Sequence, residues 1–328
     1  MEPLTGLKAI LHSKRANIYY LEHCRVMQKD GRVLYLTEAK KENHYWNIPI
    51  ANTTCIMLGT GTSITQAAMR MLASAGVLVG FCGGDATPLF MGAEIEWLSP
   101  QSEYRPTEYV QGWLSWWFDE AKRLQAAKIL QLARLDYIAQ VWRSDRDLAQ
   151  QGFAGGMEEA FARHRQQIPL QTATSHLLQL EARLTKELYR HAAEVSGYGD
   201  FVREREAGDR ANTFLNHGNY LAYGLAATVC WVLGIPHGFA VMHGKTRRGA
   251  LVFDIADLVK DALVLPMAFI CAREGTSTQE FRQETLELFT RHKALDFMFA
   301  QVKQMALSSR GAENLGQTKI HDSRGSLP

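Results

Sequence analysis

The chain has 328 residues, 46% hydrophobic and 21% charged, a composition that excludes a disordered or fibrous protein and is typical of a globular one with buried cores. The formal net charge is only +2, so a surface for a polyanion has to come from local clusters of Lys and Arg. Five scattered cysteines without a CxxC pair predict buried thiols in a reducing compartment. Because the N-terminus lacks a signal-peptide core and the longest apolar run, 221–235, is too short to cross a bilayer, we expect a cytoplasmic protein.

The first part of the chain, residues 1–102, predicts a small β-rich domain. Segments rich in β-branched and aromatic residues predict strands at 16–20, 24–28, 32–36, 46–50 and 54–58. The turn sequence at 29–31, Lys-Asp-Gly, predicts a hairpin between the second and third of them. A capping-box pattern that starts at Ser63 then predicts a helix up to Gly76, and the apolar run 77–82 predicts a buried strand.

A polar segment with a proline near each end, residues 99–106, separates this part from a region with helical periodicity. Residues 107–308 therefore predict a larger all-α domain, and the fold class is α+β multidomain. Three tryptophans, which could stack nucleic-acid bases, are expected instead to pack inside one long helix that continues to Ile138; they are Trp113, Trp116 and Trp117. The tail, residues 309–328, has few apolar side chains and is expected to be disordered.

One carboxylate stands where an apolar residue is expected. The predicted helix 173–195 has a leucine-rich buried side, and Glu181 falls in the middle of that side rather than on the solvent-exposed face. A buried carboxylate is costly unless a partner neutralises it. Glu181 is therefore a candidate metal ligand supplied by a distant helix.

The segment 238–261, GFAVMHGKTRRGALVFDIADLVKD, concentrates the other chemical groups of the chain. It places His243 before the basic cluster Lys245, Arg247 and Arg248, and before two aspartates, Asp254 and Asp257, that share one helical face. Carboxylates with one imidazole favour Mg²⁺ or Mn²⁺, and the neighbouring cations suit a phosphodiester.

Two other interpretations of this segment compete with a metal site. Taken alone, a DxxD pair on a helix is more often a solvated face. The glycines at 238 and 244, followed by Lys245, resemble a phosphate-binding loop, but five residues separate them where that loop requires four. The spacing therefore argues against a nucleotide-binding loop, and the metal site depends on Glu181 for its third ligand.

Long strings of the sequence resemble the CRISPR-associated integrase of the spacer-acquisition module, in its type I-F branch. The resemblance covers nearly the whole chain and is carried by HSKRANIYYLEHCRV, NHYWNIPIANTT, GTGTSITQAAMRMLASAGVLVGFCGG, SPQSEYRPTEY, HGNYLAYGLAA and the 238–261 segment. The family's ligand glutamate, in a leucine-rich helix with an aromatic residue eight positions later, matches Glu181 with Tyr189. Its histidine matches His243, and its paired aspartates match Asp254 and Asp257. A glycine often follows the glutamate in the wider family, whereas Ala182 stands here, which puts the local helix packing in question.

The resemblance implies a β domain that serves dimerisation and partner contacts, joined to a helical catalytic domain. It also implies a homodimer and a complex with the second adaptation protein, which in type I-F systems is fused to a helicase-nuclease. The implied activity is metal-dependent cleavage and strand transfer that insert foreign double-stranded DNA into the CRISPR repeat array. From the residues themselves, two hypotheses stand. In the first, Glu181, His243 and Asp257 bind the ion and Asp254 is a further ligand or a supporting carboxylate, while the basic cluster contacts phosphates without reading bases. In the second, the chain is a non-catalytic helical DNA-binding scaffold with structural acidic residues.

Overall fold

The computed structural model describes residues 17–39, 42–82, 96–98, 107–204, 209–244 and 249–317. The described strands all lie in residues up to 98 and helices dominate the described residues from 108 onward, so the predicted fold class is confirmed. The boundary predicted between 102 and 107 lies almost wholly outside the described residues. Among the helices searched in the described ranges, none is long and apolar enough to cross a membrane.

In the described part of the chain, eight strands form two four-stranded sheets. In chain order they are β1 (Asn17–Leu21), β2 (Arg25–Lys29), β3 (Arg32–Ala39), β4 (Glu42–Ile48), β5 (Thr53–Leu58), β6 (Ser63–Ile64), β7 (Leu78–Phe81) and β8 (Glu96–Leu98). The first sheet has the order β1-β5-β7-β8, with β1, β5 and β7 parallel and β8 antiparallel to β7. The second has the order β4-β3-β2-β6.

The predicted hairpin joins β2 to β3 and is confirmed. Lys29 pairs with Arg32, so Asp30 and Gly31 alone make the turn. Both have positive φ, 50° and 71°, as a type I′ turn requires. Gly31 tolerates this conformation without a steric cost, and aspartate adopts it more readily than most other residues.

Strand β5 connects the two parts of the molecule because both of its faces are buried. Its successive side chains point to opposite faces of the sheet. Ile56 and Leu58 join the core between the sheets, whereas Cys55 and Met57 join the core of the helical part. The contact is close: a Cβ added to Gly224 in the helical part would lie 2.8 Å from the Cys55 sulfur.

Ten α-helices are described. They are α1 (Gln66–Ser74), α2 (Glu108–Trp117), α3 (Glu120–Ser144), α4 (Arg146–Gln150), α5 (Glu158–Gln167), α6 (Thr174–Ser196), α7 (Arg210–Leu233), α8 (Ala250–Glu274), α9 (Thr278–Arg291) and α10 (Ala294–Gln317), with short 3-10 helices at Ile50–Asn52 and Ile168–Leu170. Helix α1 begins later than its sequence pattern predicts. Its N-cap is Thr65, which accepts a hydrogen bond from the Ala68 N–H, because Ser63 and Ile64 pair with β2 as β6.

The single long helix predicted through the tryptophans is wrong. The chain forms α2 and α3 instead, because Asp119 accepts hydrogen bonds from the backbone of Ala121 and Lys122 and so starts a new helix. The tryptophans still pack as predicted: Trp113 is fully buried and Trp116 nearly so.

Helix α8 is buried around almost its whole circumference and crosses the middle of the helical part. Because a helix that is enclosed on all sides has no solvent-exposed face, Asp254 and Asp257 are buried as well. Pro266 lies within α8 without ending it. At the other end of the chain, α10 runs to Gln317, past the predicted start of the tail at 309; residues 318–328 lie outside the described residues.

Candidate metal centre

Three side chains from distant parts of the sequence converge between α6 and α8. Glu181 lies on α6, His243 in the loop that precedes α8, and Asp257 on the second turn of α8. His243 Nε2 is 3.9 Å from Glu181 Oε2 and 3.8 Å from Asp257 Oδ2. One ligand atom from each residue lies within 4.8 Å of the other two, a separation that one shared ion can bridge.

Glu181 reaches this position because the buried stripe of α6 carries it inward. Leu177, Leu180, Leu184 and Leu188 are all buried on this helix. The Glu181 side chain lies beside them and keeps only 13% of its surface exposed. The placement predicted from the sequence, in the middle of the leucine-rich side, is what the structure contains.

Asp254 uses both of its oxygens to bind the loop that carries His243. Its Oδ2 accepts hydrogen bonds from the backbone N–H of Val241 and Met242, and its Oδ1 accepts from the N–H of His243. The same Oδ1 lies 2.7 Å from His243 Nδ1. This buried carboxylate therefore folds the loop back onto α8 and sets the direction of the imidazole.

The bond to Asp254 also decides what the other ring nitrogen can do. An acceptor beside Nδ1 assigns the proton of a neutral imidazole to that atom, which leaves the lone pair on Nε2, directed toward Glu181 and Asp257. Burial by itself would lower the pKa of His243, but the hydrogen bond to Asp254 and the nearby carboxylates of Asp257 and Glu181 raise it overall. A carboxylate behind a histidine is a frequent support of metal-binding imidazoles.

Asp257 supplies the clearest test of whether these residues fit a cation. It is 2% exposed, and its Oδ2 accepts no hydrogen bond from the described residues. Lys260 forms an ion pair with Oδ1. Burial would raise the pKa of Asp257, yet Lys260, His243 and Arg134 lower it overall, so the carboxylate is ionised. A buried anionic oxygen that lacks hydrogen bonds and faces a histidine and a second carboxylate fits a hard divalent cation.

Sequence reasoning missed the cations and the third aspartate that surround this centre. Arg134 of α3 contacts Glu181 and Asp261, and Lys260 pairs with Asp257. The pattern that singled out Glu181, a charged residue on an apolar helix face, could also have identified Arg134. Arg134 stands four residues from both Leu130 and Ile138 on the buried side of α3. Asp261 likewise repeats the helical spacing of Asp257 on α8.

The predicted DNA contacts lie in a part of the chain that the structure does not describe. Lys245, Arg247 and Arg248 fall within the undescribed segment 245–248, between His243 and the start of α8. Gly244, the last described residue before it, has a φ of +46°. The basic cluster stays a prediction.

A β-rich part joined to a helical part that brings two carboxylates and a histidine together defines the class of protein with a candidate divalent-metal centre. The model of the family "CRISPR associated protein Cas1" matches residues 18–303, and the chain belongs to this family. It is 58% identical, over 315 residues, to a CRISPR-associated endonuclease Cas1 of Pseudomonas aeruginosa, covering 92% of this chain and 96% of the relative.

Two solved structures share the fold at low sequence identity. A TtCas1–DNA complex has a TM-score of 0.63 and 22% identity, covering 88% of this chain and 91% of that one. A casposase bound to an integration product has a TM-score of 0.69 and 12% identity, covering 94% and 96%. Likeness at this level of identity shows the fold alone.

Proposed function

We propose that this protein is a divalent-metal-dependent DNA endonuclease and integrase that inserts foreign DNA fragments as new spacers into a CRISPR array. Membership of the Cas1 family and 58% identity to a protein named as an endonuclease support this function. The observation that carries it is the convergence of Glu181 Oε2, His243 Nε2 and Asp257 Oδ2 from separate segments of the chain.

Each residue of the centre has a distinct role in the proposal. Glu181, His243 and Asp257 hold the ion, Mg²⁺ or Mn²⁺. The bound ion supplies Lewis-acid activation of a 3′-hydroxyl or water and stabilises charge on the scissile phosphate. Asp254 keeps the His243 proton on Nδ1 and the lone pair on Nε2, through the 2.7 Å contact.

The proposed substrate is double-stranded DNA, both as the foreign fragment and as the CRISPR repeat. Lys245, Arg247 and Arg248, adjacent in sequence to the centre, bind phosphates in this proposal and add affinity without base specificity. The casposase and TtCas1 structures, bound to an integration product and to DNA, show that this fold accommodates nucleic acid in those proteins.

The proposed assembly and domain division follow from the family resemblance. In it, residues 1–102 form the dimerisation and partner-binding domain and residues 107–308 the catalytic domain of a homodimer. The second adaptation protein, fused to a helicase-nuclease in the type I-F branch, completes the complex.

Cleavage and joining of DNA by the purified protein, with and without Mn²⁺, test the function. We expect wild type to be active only with the ion and Glu181→Gln to be inactive. The matched control is Glu187→Gln, on the same helix, because Glu187 pairs with Arg163 outside the centre. Metal-independent DNA binding without cleavage by the wild type would favour the scaffold hypothesis instead.

A further inference from the structure

Arg134 is a buried cation at the crossing of three helices. Its side chain is 1% exposed, although it lies on α3 and contacts residues of α6 and α8. Its Nε donates to Asp261 Oδ2 at 2.7 Å, and Nη1 donates to Glu181 Oε1 at 3.0 Å. Nη1 also donates to Gln131 Oε1 at 3.3 Å and Nη2 to Thr185 Oγ1 at 3.2 Å. All three guanidinium nitrogens therefore have partners within the protein.

The contact with Glu181 separates the two oxygens of that carboxylate. Oε1 accepts the hydrogen bond from Arg134, whereas Oε2 lies 3.9 Å from His243 Nε2. The guanidinium is planar and its donors have a fixed geometry, so it restrains the rotation of the carboxylate more than a single ammonium would. Glu181 consequently presents one oxygen to the centre, and which oxygen it presents is set from α3.

The charge of Arg134 is as important as its shape. Asp261 is 3% exposed and Asp257 2%, so three carboxylates including Glu181 meet where water is scarce. Like charges in such a place repel each other strongly. Arg134 lies between Asp261 and Glu181 and offsets this repulsion before any ion binds.

We propose that Arg134 is a positioning residue of the metal centre, which acts through Glu181 by fixing Oε1 and leaving Oε2 to the ion. The inference rests on the proposed function, since it requires that Glu181, His243 and Asp257 bind a divalent cation. Arg134 itself contacts neither the ion nor DNA in this proposal. The competing view is that Arg134 only holds α3, α6 and α8 together.

A pair of variants separates positioning from structural support. Arg134→Met removes the salt-bridge partner of the buried Asp261, so it should unfold much more easily than wild type. In Arg134→Met/Asp261→Leu both partners are apolar, and the replacement of a whole buried ion pair by apolar groups is often neutral or stabilising. We therefore expect the double variant to recover most of the lost stability. Its Glu181 still lacks the guanidinium.

The measurement is calorimetric titration with Mn²⁺ alongside urea unfolding, on the full chain. We expect both variants to bind Mn²⁺ about 10–100-fold more weakly than wild type, the usual effect of losing a group that orients a ligand. Arg134→Lys keeps the charge but cannot reproduce the two-sided contact, so its affinity should also fall. Arg165→Met is the control, because Arg165 pairs with the exposed Asp136 away from the centre.

The outcomes distinguish this inference from the proposed function. Wild-type affinity in the stable double variant or in Arg134→Lys would overturn the positioning role. If Glu181→Gln loses Mn²⁺ binding in the same experiment, the assignment of Glu181 as a metal ligand still holds. Recovered stability with weakened binding supports the positioning role. If the wild type binds no Mn²⁺, the proposed function fails, and the inference fails with it.

Discussion

Asp254→Asn should lower stability more than Asp257→Asn, whereas Asp257→Asn should weaken metal binding more than Asp254→Asn. Asp254 accepts four hydrogen bonds from the loop, two at each oxygen. In Asp254→Asn one oxygen becomes an NH₂ group that faces two donors, whichever way the amide turns. Because a hydrogen bond to a charged group contributes about 1.5–3 kcal/mol, the loss of two predicts that the free energy of unfolding falls by about 3–6 kcal/mol.

Asp257→Asn should cost less stability. Oδ2 of Asp257 accepts no hydrogen bond from the described residues. Lys260, which pairs with Oδ1, still has Asp261 and Glu181 as negative neighbours when Asp257 becomes neutral. The exchange also removes repulsion between Asp257 and Glu181. Its effect falls on the ion, because it removes a charged ligand and should abolish Mn²⁺ binding, whereas Asp254→Asn should weaken binding by about 10–100-fold.

Urea unfolding without metal and calorimetric titration with Mn²⁺ measure the two effects separately. Each variant is the control for the other, since both exchange one carboxylate for one amide on the same helix. If Asp254→Asn unfolds like wild type, or if it loses Mn²⁺ binding entirely while Asp257→Asn retains it, the roles assigned from the geometry are wrong. Equal loss of affinity would mean that both carboxylates bind the ion directly.

Three further predictions concern the centre and the scaffold around it. His243→Ala should abolish Mn²⁺-dependent cleavage and nearly preserve folding. In thermal unfolding, a saturating excess of Mn²⁺, about 100 times Kd, should raise the free energy of unfolding of wild type by about 2.7 kcal/mol and leave that of this variant unchanged. Burial would raise the pKa of Asp145, but hydrogen bonds from His292, the Leu148 N–H and Arg291 lower it overall, so the charged form stabilises the fold. That contribution is complete above the ordinary aspartate pKa of 3.8 and is lost as the pH falls through the lower pKa of the folded state. The stability advantage of wild type over Asp145→Asn in urea unfolding should therefore shrink on acidification, and a constant advantage would contradict this account. Gly112→Ala should destabilise by several kcal/mol in urea unfolding, because its Cβ would lie 1.9 Å from a backbone oxygen of α10, whereas Gly155→Ala, whose Cβ meets nothing within 4 Å, should be close to neutral.

Local patterns in the sequence determined much of the scaffold. The β2–β3 hairpin follows from an Asp-Gly turn between two strand-forming runs, and Glu181 could be singled out because one carboxylate interrupts a leucine stripe. Such features depend on neighbours within a few residues, which a single sequence displays directly. Local patterns were less reliable where a capping residue divides a helical run, as Asp119 does between α2 and α3.

The tertiary structure alone decided how the charged groups of the centre divide their roles. Asp254 and Asp257 are equivalent by spacing, yet the loop at 241–243 folds back onto the first and leaves the second facing Glu181. Arg134 meets Glu181 and Asp261 across 47 and 127 residues of sequence. Periodicity gives the buried face of each helix, but it contains no information on how α3, α6 and α8 cross. Which buried charges meet at that crossing is therefore a property of the packed molecule and not of any segment of its sequence.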